Sequence, residues 1–564
     1  MENVQHESWL EVSEENVHQT AESLYWRKQG QHWRIMPEIS QDRQSQLTQR
    51  LQIVGDIRKN VFPLKDVEPK LTRADIEWML FYIENEGSEQ TRRDHLKHKR
   101  LDLSGADLRT LDLSFLPLSH VRFGPHIYEW GQLTIEQQDS AGARLDDCNL
   151  YKTALRNTYL CGVHLERAHL RYAQLQGAHI RGATLSHAVL SHAHLERANL
   201  ANARLQKADV RKASLQGADL NDAVLEGADF SEARLDGAEL RNIKADGTNF
   251  RFAHFEKGDL SGSMLSNTYL HDAHLEQANL RRVHLEASNL TLARLDEADL
   301  TDAHLERANM SGAQCERAIL VKAHFEDTDC RNANFAGAVL CQASFSQGTQ
   351  LDNAIFTKEG TGPASFADIY WNNVNLAGMQ VSSLDSLGDE KVLPPDPVST
   401  PVRTKNTQIK YQEKWTAAIR AYRQFGSALQ RQGMYEEANR FFYRSHVLKR
   451  KLLWSQGPRN TVPYILSLLI DMVNGYGYKL YRSLYFYVCF HVLWTVLYHV
   501  NAPHLSWRAA FLFSLLSFHG KILFEAPYRM GQEQLILVVV EAVIGTLFEI
   551  LSIAVIVRRI NKNR

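Results

Sequence analysis

Apolar residues recur at every fifth position over about half of the chain. From Leu145 to Phe345, every fifth residue is Leu, Phe, Ile, Val, Met or Cys, with Ala245 as the exception, and the residue two before it is mostly Ala. A spacing of five matches neither the period of about 3.6 in an α-helix nor the period of two in a strand. It fits a square coil of four five-residue sides, in which the large and the small residue point inward and the other three face solvent.

Stacked coils of this kind pair along their backbones about 4.8 Å apart, so each coil contacts only its neighbours. A first block at 101–123 has the same spacing, 124–140 interrupts it as an inserted loop, and the main block runs over 141–379. The register slips by one residue at 346–350. The pattern therefore predicts a mainly β fold, a four-sided β-helix.

Individual units match a known repeat. GADLR at 105–109, GADLN at 217–221 and GADFS at 227–231 resemble the pentapeptide-repeat family. The resemblance implies a right-handed quadrilateral β-helix.

Residues 1–100 do not repeat and begin with an acidic, polar stretch, so we expect no signal peptide. Ser40 precedes one amphipathic segment, and Thr72 with Asp75 opens another in the manner of a capping box. Because a repeat array needs a covered end, we interpret 1–100 as a helical N-terminal cap. A partner-binding head is the alternative.

Helical patterns follow the repeats. Residues 380–407 are rich in Pro, Ser and Asp and predict a linker, whereas 408–460 have helical periodicity broken at Gly433. This second segment predicts an α-helical hairpin that looks like one tetratricopeptide-like unit.

The last part of the chain, 461–564, predicts an α-helical membrane module. Residues 484–500 and 535–557 are long enough to cross a bilayer, and 507–518 form a short apolar segment between them. Basic residues precede the first span and follow the second, so we expect both termini in the cytoplasm. Residues 463–473 predict an interfacial helix.

A span, a short helix and a second span resemble the potassium-channel-like module of some bacterial pentapeptide-repeat proteins. That resemblance implies a filter with Gly-Tyr-Gly after the short helix. The matching residues here keep only one glycine and include a lysine that repels cations, so potassium selectivity is not implied. The pore or filter-equivalent candidates are Ser517, Phe518, His519, Gly520, Lys521, Glu541 and Glu549. The two glutamates, eight residues apart, are expected to share roughly one helix face.

Charge and side-chain chemistry give no sign of catalysis or of nucleic-acid binding. The net charge is -1, the six cysteines form no CxxC pair, and the region 141–345 has about 27 acidic and about 23 basic residues, which argues against mimicry of DNA. Histidines repeat one coil apart in two columns, His254 with His274 and His284 with His304 and His324. We expect a solvated polar ladder there, since closed metal sites need three or four converging ligands. No enzyme, cofactor or metal is predicted.

Two functions remain open. The first is a membrane-anchored scaffold whose cytoplasmic β-helix binds an unknown cytosolic protein. The alternative is an oligomeric ion channel or gated pore with a degenerate filter, in which the β-helix acts as a sensor. We expect a multi-pass protein of the bacterial inner membrane, no nucleic-acid partner, and a homo-oligomer that is a tetramer if it is channel-like.

Overall fold

The computed structural model describes most of the chain. The residues it describes are 21–53, 55, 59, 61–85, 101–391, 393, 405–456, 458–502, 505–519 and 532–562. They divide into two compact units. The first unit contains the chain up to Ala364 and, in addition, Tyr370–Ser383. The second unit contains Ser365–Ile369 and the chain from Leu384 onward.

The first unit is built around a β-helix. Along most of the stack, the residue before a central apolar residue pairs in parallel with the residue 20 positions on, as Arg144 does with His164 and His164 with Thr184. Backbone N–H groups donate to the next coil, for example Leu165 N to Thr184 O at 2.7 Å. The central residues and the small residues two before them are buried throughout the main block. The inward and outward positions predicted from the five-residue pattern are confirmed.

The corners of the coil need a left-handed backbone. The second residue after each central residue has a positive φ, such as 53° at Asn157, 59° at Asn202 and 63° at Gly217. Glycine and asparagine adopt this conformation at low cost. The repeated turn explains why these residue types recur at that position.

Two interruptions leave the coil and return to it. Asp107 pairs with Arg144, so 124–140 lie outside the stack, where the chain forms two short helices. Farther on, Asp329 pairs with Gln350, which is 21 residues later in place of 20. This pairing accommodates the one-residue slip of the register.

Helices and short strands complete the first unit. The helices are α1 (Ala21–Lys28), α2 (Gln41–Leu51), α3 (Arg73–Asn85), α4 (Ile127–Trp130) and α5 (Ile135–Ala141). The strands are β1 (His324–Phe325) and β2 (Ser344–Phe345), which pair in parallel, and β3 (Thr357–Lys358) and β4 (Gly362–Pro363), which pair antiparallel.

The N-terminal helices pack against the first coils. Ser40 caps α2 by accepting from Arg43 N, and Asp75 accepts from Thr72 N at the start of α3. Arg73 is nearly buried, pairs with Glu77, and donates to the backbone carbonyls of residues 112 and 114 at 3.0 Å. These contacts fit the expected cap at this end of the β-helix.

The second unit is helical. Its helices are α6 (Gly388–Lys391), α7 (Lys405–Arg431), α8 (Tyr435–Ser455), α9 (Thr461–Asn474), α10 (Leu480–Asn501), α11 (Trp507–Phe518) and α12 (Gln532–Lys562). Helices α7 and α8 form the expected hairpin, with Gly433 at a φ of 79° in the turn between them.

The predicted linker at 380–407 is partly folded, which corrects the sequence interpretation. Residues 381–383 and 388–391 form short helical turns, and Leu384 and Leu387 are buried. The burial of these two leucines stabilises a folded conformation of this segment, which its Pro-rich composition alone does not indicate. Residues 394–404 lie outside the described part of the chain.

One described helix is long and apolar enough to cross a membrane. It spans Tyr481–Asn501, with a mean hydropathy of 1.3 in its most apolar window and 17% of that window buried. The shorter apolar helix α11 follows it. The second predicted span, 535–557, lies within α12 and stays a prediction.

Candidate functional site

The predicted pore residues that the structure describes lie at the end of α11 and on α12. Ser517 and Phe518 form the last turn of α11, and His519 follows as its C-cap. Gly520 and Lys521 lie outside the described residues. Glu541 and Glu549 both lie on α12.

Glu541 is completely buried between three helices. Its Oε2 accepts a hydrogen bond of 2.6 Å from Tyr498 Oη on α10, and its Oε1 accepts one of 2.6 Å from Ser514 Oγ on α11. Buried carboxylates are tolerated only where such partners satisfy them. Glu541 therefore ties α10, α11 and α12 together.

Further polar side chains extend this network. His491 Nδ1 lies 2.9 Å from Ser514 Oγ, and Ser517 Oγ lies 3.2 Å from Tyr498 Oη. Apolar packing of Tyr498 with Ala510 and Val538 surrounds the network. The space between the three helices is thus filled by hydrogen-bonded side chains of one chain.

His491, Tyr498 and Ser514 are not among the site residues predicted from the sequence. His491, Thr495 and Tyr498 occur at intervals of four and three residues in an otherwise apolar segment, which puts them on one face of α10. Ser514 and Ser517 repeat that spacing on α11. Polar residues at helical spacing inside apolar runs are the signal that would have identified them.

Glu549 has a different environment from Glu541. It pairs with His519 Nδ1, and the two side chains are 43% and 39% exposed. Tyr487 Oη lies 3.4 Å from the other ring nitrogen of His519. The two glutamates, expected to share a helix face, lie one in the interior and one at the surface.

Close packing holds the end of α11 against α12. A side chain at Gly545 would meet the Phe518 backbone, and its Cβ would lie 3.0 Å from Phe518 Cγ. The two helices approach this closely because residue 545 is glycine.

A second polar centre lies at Asp471, which is 8% exposed. Its carboxylate accepts from Tyr443 Oη at 3.0 Å, Arg450 Nη1 at 2.6 Å and Arg482 Nη1 at 3.1 Å. These partners come from α8 and from the start of α10. Asp471 therefore joins the hairpin, α9 and the first predicted span.

Comparison with known families decides what the repeats are. A family model described as pentapeptide repeats matches eight overlapping copies between residues 148 and 357. The chain contains a pentapeptide-repeat domain. The fold of that domain is a right-handed β-helix, as the family resemblance implied.

Solved pentapeptide-repeat proteins are similar to this domain. HetL from the cyanobacterium Nostoc sp. strain PCC 7120, titled as involved in heterocyst differentiation regulation, is 23% identical, with 48% of this chain and 98% of HetL covered and a TM-score of 0.22. QnrB1, titled as a plasmid-mediated fluoroquinolone resistance protein, is 20% identical, with 38% and 87% covered and a TM-score of 0.21. Rfr23 from the cyanobacterium Cyanothece 51142 is 20% identical, with 32% and 98% covered and a TM-score of 0.08. No curated protein matches the chain significantly.

Proposed function

We propose that the chain is a membrane-anchored scaffold whose pentapeptide-repeat β-helix lies in the cytoplasm and binds a partner protein. The observation that carries the proposal is the number of large apolar side chains on the outside of α10 and α12. Contiguous exposed apolar surface of this kind marks contact with lipid or protein. The side chains concerned are between 41% and 72% exposed and are Leu484, Tyr485, Val488, Val492, Leu493, Val496, Val500, Leu535, Ile536, Val539, Val540, Val543, Leu547 and Ile550.

Helix α9 supports the same proposal. Val462, Leu466 and Met472 are 76%, 54% and 57% exposed, whereas Asp471 on another face is bound by arginines. A helix with one exposed apolar face and one polar face is suited to the membrane interface. The bilayer proposed is the inner membrane of a bacterium, with both termini in the cytoplasm.

Membrane anchoring is tested by charged substitutions on the proposed lipid-facing surface. In the double variant Val488→Arg/Val492→Arg, we expect most of the protein to leave the membrane fraction after alkaline carbonate extraction, because arginine inside a bilayer costs about 3 kcal/mol or more. Ile135→Arg is the matched control, since Ile135 is 84% exposed in the inserted segment of the first unit. Equal retention of the two variants would remove the anchor.

One side of the β-helix has features of a protein-binding surface. Phe252, Tyr269 and Leu292 lie in successive coils on this side and are 47%, 44% and 47% exposed, and Arg251 lies over the Tyr269 ring at 4.8 Å. Aromatic residues and arginine are enriched where proteins bind one another. Phe252 and Leu292 also have φ values of 59° and 60°, where a large side chain does not favour folding.

This surface is tested with Phe252→Gly/Leu292→Gly. Because both positions have left-handed φ, we expect unchanged or higher stability of the β-helix together with weaker capture of a protein that photo-crosslinks to position 269 in cells. Tyr370→Ser, at another exposed aromatic residue, is the control. Crosslinking that is the same in all three proteins would exclude this surface.

The channel remains the second candidate, and the short helix α11 is the observation that favours it. Ala510 of α11 packs with Tyr498 of α10 and Val538 of α12, so a short apolar helix lies between two long ones, as in channel modules. The space around Glu541 between the three helices is filled by side chains, so one copy of the chain has no room for a pore there. A pore would have to form between several copies, and this favours the scaffold. Ion flux into liposomes containing a purified homo-oligomer supports the channel, and a monomer without flux excludes it.

A further inference from the structure

A repeated His-x-Glu sequence lies along two sides of the β-helix. It occurs in seven coils, at His164, His194, His254, His274, His284, His304 and His324, each followed two residues later by glutamate. The histidine precedes a central residue and the glutamate follows it, so both flank the same buried side chain and face outward. Where two such coils stack, four potential metal ligands lie next to one another.

Three of these ligands converge at one point. His254 Nδ1 lies 3.2 Å from Glu256 Oε1, and His274 Nδ1, one coil later, lies 3.5 Å from the same oxygen. The two rings are 4.4 Å apart between centroids. In a tetrahedral zinc site with bonds of about 2.0–2.1 Å, neighbouring ligand atoms are about 3.3 Å apart. The two nitrogen-to-oxygen distances, 3.2 and 3.5 Å, therefore match two edges of such a site.

We propose that His254, Glu256 and His274 bind one divalent transition-metal ion, of which Zn²⁺ is the best fit. A site with two imidazoles and one carboxylate suits this class of ion, whereas Mg²⁺ and Ca²⁺ prefer sites made of oxygen ligands alone. The three side chains are 38%, 31% and 25% exposed, so an ion can enter from solvent and keep water in its remaining position.

The surrounding charges favour a cation at Glu256. Asp236 lies one coil earlier in the same column, so a second carboxyl group neighbours Glu256. The nearby arginines bind other carboxylates, with Arg234 Nε 3.7 Å from Asp236 and Arg294 Nη1 4.0 Å from Glu276. Glu256 thus faces a second carboxyl group and two imidazoles, which a metal ion would stabilise.

Other stacked histidines converge less well. His284 and His304 stack at 4.6 Å, but each has its own carboxylate, with Nδ1 to oxygen distances of 2.9 Å to Glu286 and 3.2 Å to Glu306. The ligand atoms of His284, Glu286 and His304 lie within 4.8 Å of one another, as do those of His254, Glu256 and His274. The shared oxygen distinguishes the site at Glu256.

The test uses full-length protein in detergent, titrated with Co²⁺ and followed by its visible absorption, with Zn²⁺ as the competitor. We expect His254→Gln/His274→Gln and Glu256→Gln to weaken binding of one equivalent by at least tenfold. Glutamine fits these columns, because Gln174 and Gln314 occupy the histidine column and Gln216 the glutamate column. Circular dichroism checks that the variants keep the fold.

His194→Gln is the matched control, since His194 has the same motif and lies 3.4 Å from Glu196 but has Gln174 and Ser214 as its stacked neighbours. We expect this variant to bind Co²⁺ as the wild type does. The proposal is wrong if the wild type takes up no Co²⁺ that Zn²⁺ displaces. It is also wrong if His284→Gln/His304→Gln abolishes the signal while His254→Gln/His274→Gln keeps it.

Discussion

Two inward side chains on each side of the coil limit residue size in the β-helix. Ala223 and Leu225 are fully buried, whereas Val224 between them faces outward. Ala223 stacks between Ala203 and Ile243, the corresponding residues of the adjacent coils. Alanine is therefore required by the space that the neighbouring coils leave, and a longer side chain has no free volume to enter.

This packing predicts that substitutions at two neighbouring positions differ strongly in their effect on stability. Ala223→Leu should lower the free energy of unfolding by about 1–3 kcal/mol, because overpacking forces strained side chains or backbone shifts. Val224→Leu should change it by less than about 0.5 kcal/mol, since it lies at the surface. Guanidinium unfolding followed by circular dichroism measures both. Similar losses in the two variants would contradict the assignment of inward and outward positions.

The predictability of single residues depended on how regular their environment is. The spacing of five was enough to assign Leu225 and Ala223 to the interior, because every coil repeats the same two constraints. The burial of Glu541 was not predictable in the same way. Its partners Tyr498 and Ser514 come from two other helices, and their pairing depends on how those helices pack.

At the scale of elements, the segment after the β-helix shows how composition misleads. Residues 380–391 are polar and Pro-flanked, yet Leu387 is buried and its N–H donates to Tyr422 Oη at 2.9 Å. Asp389 accepts hydrogen bonds from Phe366 N at 2.6 Å and Ala367 N at 3.1 Å. Two of these hydrogen bonds join residues that are 35 and 23 positions apart in the sequence, and such contacts form only when the chain folds. The local composition therefore predicts a linker but not the buried part of it.

Asp389 predicts a pH-dependent contact. Burial raises its pKa to about 6, above the usual 3.8, so the folded state binds the proton more tightly than the unfolded chain does. The resulting stabilisation is fully present below about pH 4 and is lost as the pH rises through about 6. Between pH 7.5 and pH 5 the gain should be on the order of 1 kcal/mol, or roughly tenfold in hydrogen-exchange protection of Phe366 and Ala367.

Two variants isolate this effect. Asp389→Asn should remove the pH dependence of the corrected protection factors. Asp385→Asn should keep it, because the Asp385 side chain is 95% exposed and pairs with Arg440 at the surface. Protection that changes with pH in the same way in wild type and Asp389→Asn would show that another group titrates.

At the scale of the whole molecule, the order of segments along the chain points to one orientation in a membrane. The pentapeptide-repeat domain and the hairpin precede α10, and the basic residues Lys449, Arg450 and Lys451 lie before it. Arg558 and Arg559 follow the second predicted span. Because positive charge is usually retained on the cytoplasmic side, the proposed anchor would cross the membrane an even number of times.

The proposed orientation predicts which cysteines an impermeant maleimide reaches. In a background with Cys341→Ser and Cys489→Ser, Asn501→Cys at the end of α10 should be labelled on intact cells. Glu359→Cys, exposed between β3 and β4, should be labelled only after the membrane is permeabilised. The remaining cysteines, Cys148, Cys161, Cys315 and Cys330, are buried and add no background. Labelling of both positions on intact cells, or of Asn501→Cys only after permeabilisation, would overturn the proposed orientation, because that orientation places residue 359 inside the cell and residue 501, at the end of the first predicted span, outside it.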